Sequence, residues 1–170
     1  MGYEARLREL GIELYQASSI PRAGNSFRTW SRTGNTIYVS GHGPNRGAQL
    51  DFVGKVGREF TEEEGYRAAR AAAINLLATL QLAIGSLDRV RRIVKVLGMV
   101  NCTEDFVRQP YVINGASDLL VEVFGDAGLH ARSAVGMQSL PNGMPVEVEL
   151  IVEVDEEDNY SASKDIERER

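Results

Sequence analysis

The stretch from residue 146 to residue 154 constrains the fold more than any other part of the sequence, because it alternates aliphatic with mostly acidic residues. The even-numbered positions are all aliphatic: Val146, Val148, Leu150, Val152 and Val154. The odd-numbered positions are Glu147, Glu149, Ile151 and Glu153. Successive side chains of a β-strand point to opposite faces of the sheet. The pattern therefore predicts a strand with one face in a hydrophobic core and the other face outside it.

A long amphipathic helix is the second strong pattern. Thr61 and Glu64 have the spacing of a capping box, and Glu62 and Glu63 add negative charge at the positive end of the helix dipole. Apolar residues then recur at helical spacing and form one continuous stripe: Ala69, Ala73, Leu76, Leu77, Leu80 and Ile84. We expect the helix to begin at Thr61. Because Gly85 follows the stripe, we expect the helix to end at Gly85.

The other segments carry weaker patterns. Gly34-Asn35 is typical of a two-residue turn with positive φ, which predicts a β-hairpin between segments 26–33 and 36–40. Further elements are expected, in chain order, at 3–10 (helix), 12–16 (strand), 91–101 (strand), 111–125 (helix) and 132–138 (strand). Two helices packed on one face of a mixed β-sheet make a single α+β domain.

The strand at 91–101 contributes to both faces of this sheet. We place Val94, Val96 and Val100 on its core side. The opposite side then shares apolar residues with the acidic side of the C-terminal strand: Ile93, Leu97, Met99 and Ile151. A half-apolar sheet face is a candidate subunit interface, because monomeric proteins rarely expose a large apolar patch.

Charge and hydropathy limit the classes of partner. The chain has 24 acidic residues against 19 Lys and Arg, a net charge of -5. It lacks the cluster of basic residues that neutralises phosphates, so we expect no nucleic-acid partner. It has no run of about eighteen apolar residues, so we expect no transmembrane helix and no membrane partner. The N-terminal segment also lacks the apolar stretch of a signal peptide.

Cysteine and histidine usage favours a cytoplasmic protein without a metal site. Cys102 is the single cysteine, so no intramolecular disulfide is possible, which fits a reducing compartment. The two histidines lack metal-ligand spacing, and we expect no metal. We divide the chain into one domain over residues 1–154 and a charged tail over 155–170. The tail has too few apolar residues to offset the entropy of ordering it.

Several motifs together resemble those of a known family. They are, in chain order, Tyr38-Val-Ser-Gly41, Asn114-Gly-Ala-Ser-Asp-Leu-Leu, Arg132-Ser133, Leu140-Pro141 and Val146-Glu-Val-Glu149. Over residues 3–154 the chain resembles the YjgF/YER057c/UK114 (RidA-like) family, in its longer endoribonuclease L-PSP-like subgroup. The resemblance implies a chorismate-mutase-like fold of the bacillus type. It also implies a homotrimer with a pocket in each cleft between subunits.

The resemblance further implies a chemistry for the pocket. Enamines and imines of the 2-aminoacrylate type are hydrolysed to 2-keto acids and ammonia without a cofactor, and Arg132 matches the arginine that holds the substrate carboxylate. A guanidinium offers a planar pair of donors that fits a carboxylate. Glu147 matches the acid that orients or activates the attacking water, although Glu149 on the same face could lie closer. The residues alone leave another role open for Arg132, an ion pair with Glu147 or Glu149 across the sheet.

Four further residues are assigned to substrate binding by the resemblance. Gly41 matches a glycine whose backbone lines the pocket, or it is a turn glycine at a strand end. Asn114 matches an asparagine of the second helix, or it is a capping or surface residue. Phe27 stands where active members have a tyrosine hydroxyl. His42 stands where many members have glutamine, or it is a solvated loop residue.

More than one function is therefore open. The first is imine hydrolysis, and the second is binding of a small carboxylate or keto acid without catalysis, which the missing hydroxyl at Phe27 favours. Endoribonuclease activity and translation inhibition are attached to parts of the family, but they fit the acidic composition poorly. Chorismate mutase activity shares only the fold, and a fold does not determine a function.

Overall fold

The computed structural model describes residues 2–17, 26–45 and 51–156, which form three α-helices and one five-stranded mixed sheet. The elements are, in chain order, α1 (Tyr3–Glu9), β1 (Trp30–Thr33), β2 (Thr36–His42), α2 (Glu62–Ile84), β3 (Val90–Asn101), α3 (Gln109–Phe124), β4 (Ala131–Met137) and β5 (Val146–Val154). The strand order in the sheet is β1-β2-β5-β3-β4. The predicted α+β fold is confirmed, and the tail beyond residue 156 lies outside the described residues.

Strand β5 lies in the middle of the sheet and separates its two faces. Its even-numbered residues are buried beneath the helices, as the alternation predicted. Its odd-numbered residues are only half-buried, and they lie on the opposite side of the sheet. We call that side the open face.

The pairing of β3 with β4 is parallel, and α3 connects the two strands, whereas the other neighbouring strands are antiparallel. Helix α3 packs on β3 and β4, and α2 packs on β5 and β2. Strand β4 is at the edge of the sheet. This crossover places α3 beside the first residues of β4, where Arg132 lies.

Helix α2 confirms the capping and stripe predictions. The Glu64 N–H donates to Thr61 Oγ1 at 3.2 Å, and the Thr61 N–H donates to the Glu64 carboxylate at 2.8 Å. All six residues of the predicted stripe are buried. The helix ends at Gly85, whose φ of 81° suits a residue without a Cβ. Within the described ranges, no helix is long and apolar enough to cross a membrane.

The hairpin is present, with a shorter first strand than predicted. Thr33 and Thr36 pair directly across the turn, and Gly34 has a φ of 56°. Strand β1 begins only at Trp30, not at residue 26. Strand β2 continues to His42, so Gly41 lies within a strand rather than in a turn at its end.

The predicted strand at 12–16 is wrong. The Ile12 N–H donates to the Leu7 carbonyl at 3.0 Å, which closes the end of α1. The side chains of Ile12 and Leu14 pack against the core from an irregular segment. Alternating apolar residues indicate burial here, but not strand pairing.

The predicted faces of β3 are wrong at its first residues. Ile93, predicted on the open face, is buried in the core, and Val94, predicted in the core, is only half-buried. The register of β3 against β5 shifts between Ile93 and Lys95. A bulge adds one residue to a strand, so the alternation of faces changes phase there. Beyond the bulge, Leu97 and Met99 lie on the open face as predicted.

Helices α2 and α3 approach each other closely at Gly115. A Cβ on Gly115 would overlap the carbonyl oxygen of Tyr66 and would lie 3.1 Å from the backbone nitrogen of Arg70. These are backbone atoms, so a side chain at position 115 can be accommodated only if the helices separate. The contact therefore determines where α3, and with it Asn114, lies over the sheet.

We predict that Gly115→Ala destabilises the protein by about 1–3 kcal/mol, because overpacking against backbone forces the helices apart. Chemical denaturation followed by circular dichroism measures the change. Val121→Ala, at a partly exposed position of the same helix, is the control and should stay within about 0.5 kcal/mol of wild type. Equal stability of Gly115→Ala and wild type would contradict the close approach.

Candidate functional site

Arg132 lies on the helix-facing side of edge strand β4. It pairs with Val96, whose side chain is in the core, so both residues point toward the helix layer. Its Nη1 donates to Asn114 Oδ1 at 2.8 Å and to Ser117 Oγ at 3.0 Å. Asn114 and Ser117 are three residues apart on α3 and therefore share one face of the helix. Two of the predicted site residues, Arg132 and Asn114, are thus in direct contact.

His130 extends this group of polar side chains. Its Nδ1 lies 2.6 Å from the Gly128 carbonyl oxygen, and its Nε2 lies 3.0 Å from Ser117 Oγ. Burial lowers the pKa of His130, and the charge of Arg132 lowers it further, while the Gly128 carbonyl opposes both. The lowered pKa favours the neutral form of His130 at pH 7. We call Asn114, Ser117, His130 and Arg132 the arginine cluster.

The arginine cluster contains no carboxylate. Among residues 2–17, 26–45 and 51–156, no Asp or Glu oxygen lies within 4.0 Å of the Arg132 guanidinium. Glu147 and Glu149 lie on the open face, on the other side of the sheet. The ion pair across the sheet is therefore not formed, and neutral acceptors hold the guanidinium instead.

Glu147 and Gly41 form a second group, on the open face. Glu147 pairs with Met99, and a Cβ on Gly41 would overlap its Oε1. Burial raises the pKa of Glu147, and the negative charge of Glu149 raises it further. A raised pKa brings the carboxylate closer to the pH at which a general base works best.

A cavity of about 840 Å³ occupies the neighbouring part of the open face. Phe27, Lys95, Ser133 and Glu149 are among its lining residues. Glu147 is not, so Glu149 is the acid that lines this cavity within one chain. Phe27 is 57% exposed, and its ring therefore has an uncovered surface.

His42 does not join either group. Its Nδ1 lies 2.7 Å from the Ser40 carbonyl oxygen, and its Nε2 lies 2.8 Å from the Thr79 hydroxyl of α2. Burial lowers the pKa of His42, against the opposing effect of the Ser40 carbonyl. The prediction of a solvated loop residue is wrong, because β2 continues through His42 and turns its ring toward α2.

The sequence analysis missed Ser117 and gave His130 no role. The available signal was the i, i+3 spacing of Asn114 and Ser117, which places two polar side chains on one side of the helix. In the part of the chain that the structure describes, no group of three or more His, Cys, Asp or Glu is arranged to hold a metal ion.

A comparison with protein families supports the motif analysis. The family model described as "YjgF/chorismate mutase-like, putative endoribonuclease" matches residues 4–154. The match covers all five strands and helices α2 and α3, and it includes all of α1 except its first residue. It stops where the charged tail begins.

Individual relatives match this chain over almost their whole length. Protein TCP17 from Trypanosoma cruzi is 41% identical over 151 residues, which are 88% of this chain and 92% of that protein. The structure of Atu1372 from Agrobacterium tumefaciens, a protein with unknown function, is 41% identical with a TM-score of 0.81, covering 90% of this chain and 92% of that one. A "putative endoribonuclease" from Shewanella oneidensis is 32% identical with a TM-score of 0.83, covering 91% and 100%.

The substitution Asn114→Asp tests whether Arg132 is free to take a carboxylate. It places a negative charge where the amide oxygen now accepts from Nη1 at 2.8 Å. We expect small carboxylic acids to bind at least about tenfold more weakly, because an internal ion pair competes for the guanidinium. Calorimetric titration measures the affinity.

Asn114→Ala is the matched control, because it removes the acceptor without adding a charge. It should weaken the binding of small carboxylic acids less than Asn114→Asp does. Equal affinity of Asn114→Asp and wild type would show that Arg132 does not bind these acids.

The raised pKa of Glu147 predicts a pH-dependent effect of Glu147→Gln. A carboxyl group with a higher pKa in the folded than in the unfolded chain destabilises the fold as pH rises through the folded pKa. Glu147→Gln should therefore melt at a higher temperature than wild type near pH 7. The gain should vanish below about pH 4, where the group is protonated in both states.

Differential scanning fluorimetry between pH 3.5 and pH 8 measures this difference. Glu153→Gln is the control, because Glu153 accepts a hydrogen bond from Arg92 at 2.7 Å and should give no such gain. A gain for Glu147→Gln of the same size at every pH would rule out the titration of Glu147 as its cause.

Proposed function

The chain belongs to the YjgF/chorismate mutase-like family, and on that premise we propose that it hydrolyses reactive enamines and imines of the 2-aminoacrylate type to 2-keto acids and ammonia. The observation that carries the proposal is the way in which the charged side chain of Arg132 is held. Its guanidinium is held in place by Asn114 and Ser117, and no described carboxylate neutralises it. A fixed guanidinium without an internal counter-ion favours binding of an external carboxylate.

The proposed reaction uses two side chains and a water molecule. Arg132 binds the carboxylate of the substrate and so places the adjacent imine carbon. Glu147 accepts a proton from a water molecule as the water adds to that carbon. Glu147 passes that proton to the nitrogen, and the hydroxyl of the resulting amino alcohol gives its own proton to the nitrogen as the C–N bond breaks, so that ammonia leaves and the carbon becomes the ketone of a 2-keto acid. No cofactor takes part in this scheme.

We further propose that each site is shared between two subunits of a homotrimer. Arg132 and Glu147 lie on opposite faces of the sheet, so one chain does not present both to one small substrate. The open face also carries Leu97, Met99 and Ile151 between its charged residues. A second copy that covers this apolar surface would bring its own Arg132 to the Glu147 of the first.

A binding role without turnover is the second candidate, and Phe27 favours it. Phe27 lies in the cavity of the open face and has no hydroxyl with which to donate or relay a proton. The arginine cluster would then retain its affinity for a keto acid. Such a protein would sense or carry the acid.

We do not extend the endoribonuclease description of its relatives to this chain. An excess of acidic residues, 24 against 19, opposes the approach of a polyanion. The single cysteine and the small-molecule chemistry fit a role in the cytoplasm.

The activity is tested by generating 2-aminoacrylate with an amino-acid dehydratase and trapping the remaining imine with semicarbazide. We expect wild type to suppress semicarbazone formation, and Arg132→Ala to lose at least about 100-fold in rate, because the loss of a charged anchor also misplaces the reacting carbon. Arg67→Ala, at an exposed arginine of α2, is the control. Suppression by Arg132→Ala equal to wild type would refute the proposed mechanism.

Subunit mixing tests the shared site. Arg132→Ala and Glu147→Ala subunits, each inactive alone, should regain partial activity after they are unfolded and refolded together. Regained activity requires sites whose two residues come from different chains. If wild type binds keto acid without turnover and Arg132→Ala loses that binding, the binding role is favoured.

A further inference from the structure

The hydrogen bonds of Arg132 leave only one edge of its guanidinium available. Nη1 carries two hydrogens, and its two acceptors are Asn114 Oδ1 at 2.8 Å and Ser117 Oγ at 3.0 Å. In the described part of the chain, no acceptor is recorded for Nε or Nη2. These two nitrogens present parallel N–H groups, and this edge of the guanidinium suits a bidentate carboxylate.

The direction of each hydrogen bond in the arginine cluster follows from one backbone carbonyl. The Gly128 carbonyl oxygen can only accept, so His130 Nδ1 must carry the hydrogen of that 2.6 Å contact. In the neutral ring, Nε2 then has no hydrogen and can only accept. The Ser117 hydroxyl, 3.0 Å away, must therefore donate to Nε2.

Because the Ser117 hydroxyl donates to His130, only its lone pairs are available to Arg132. A hydroxyl has one hydrogen and two lone pairs. With its hydrogen committed to His130, Ser117 turns a lone pair to Nη1 of Arg132. Without His130, the hydroxyl is free to rotate, and its lone pair is no longer held toward Nη1. The contact of Ser117 with Nη1, and with it the orientation of the guanidinium, would then be less well defined.

We propose that His130, acting through Ser117, is a positioning residue that orients the Nε/Nη2 edge of Arg132 toward the carboxylate of the substrate. The inference rests on the proposed function for the presence of a carboxylate ligand. It adds the residue that orients the arginine and the edge at which the carboxylate binds. Because this recognition uses two parallel donors, it selects a planar anion with two acceptor oxygens over a neutral amide.

The test measures binding of 2-oxobutyrate and of its neutral amide, 2-oxobutyramide, by calorimetric titration of the full chain. We expect His130→Ala to bind 2-oxobutyrate about three- to tenfold more weakly than wild type, the range of one neutral hydrogen bond. Binding of the amide should be unchanged. His130→Gln should restore the affinity, because the amide oxygen of glutamine can accept the Ser117 hydrogen.

A double-mutant cycle separates positioning from general destabilisation. If His130 acts only through Ser117, the variant with both Ser117→Ala and His130→Ala should bind 2-oxobutyrate no more weakly than Ser117→Ala alone. Independent roles would instead multiply the two losses. Melting temperatures of all variants establish that each chain is folded during the titration.

The outcomes distinguish this proposal from the proposed function. If Arg132→Ala loses 2-oxobutyrate but His130→Ala binds as tightly as wild type, the positioning role is wrong and the carboxylate site stands. Multiplying losses in the double variant, or failure of His130→Gln to restore affinity, also overturn the positioning role. If Arg132→Ala binds as wild type does, or wild type does not bind 2-oxobutyrate, both proposals fall.

Discussion

The register of β5 between β2 and β3 is the constraint on which the rest of the structure depends. Its five even-numbered aliphatic residues are buried under the helix layer, while its three glutamates remain on the open face. A slip of one residue would bury those glutamates without partners and expose the aliphatic residues. That cost selects one register, and this register determines on which side of the sheet every side chain of β2 and β3 lies. Through β3, it also determines the side of β4 on which Arg132 lies.

The sheet separates the two groups of charged residues that are candidates for binding and catalysis. A cationic group that is held by neutral acceptors lies under α3, and an acidic group with a raised pKa lies on the open face. If Arg132 and Glu147 were neighbours in one chain, they would form an internal ion pair. Neither charge would then be available to a substrate. The fold keeps Arg132 and Glu147 apart by placing the sheet between them, so that a site using both must be assembled from more than one chain.

Periodic segments could be predicted from the sequence, whereas the exceptions to periodicity could not. Helix α2 and strand β5 follow from a repeat over many residues, and Arg132 with Asn114 follows from the motif resemblance. The bulge beside Ile93 interrupts an alternation that the residue types continue. The location of His42 depends on Thr79, which is 37 residues away. The part played by Ser117 depends on the direction of a hydrogen bond, which residue types do not specify.

The contact between Gly41 and Glu147 has a consequence for how this surface can change. The Glu147 carboxylate occupies the space that a side chain at position 41 would fill. The two positions are therefore sterically dependent on each other: a larger residue at 41 requires the Glu147 carboxylate to move to another rotamer or to be shortened to aspartate. A side chain at position 41 alone would displace the carboxylate from its present place. The variation open to one position is set by the residue present at the other, even though they belong to different strands.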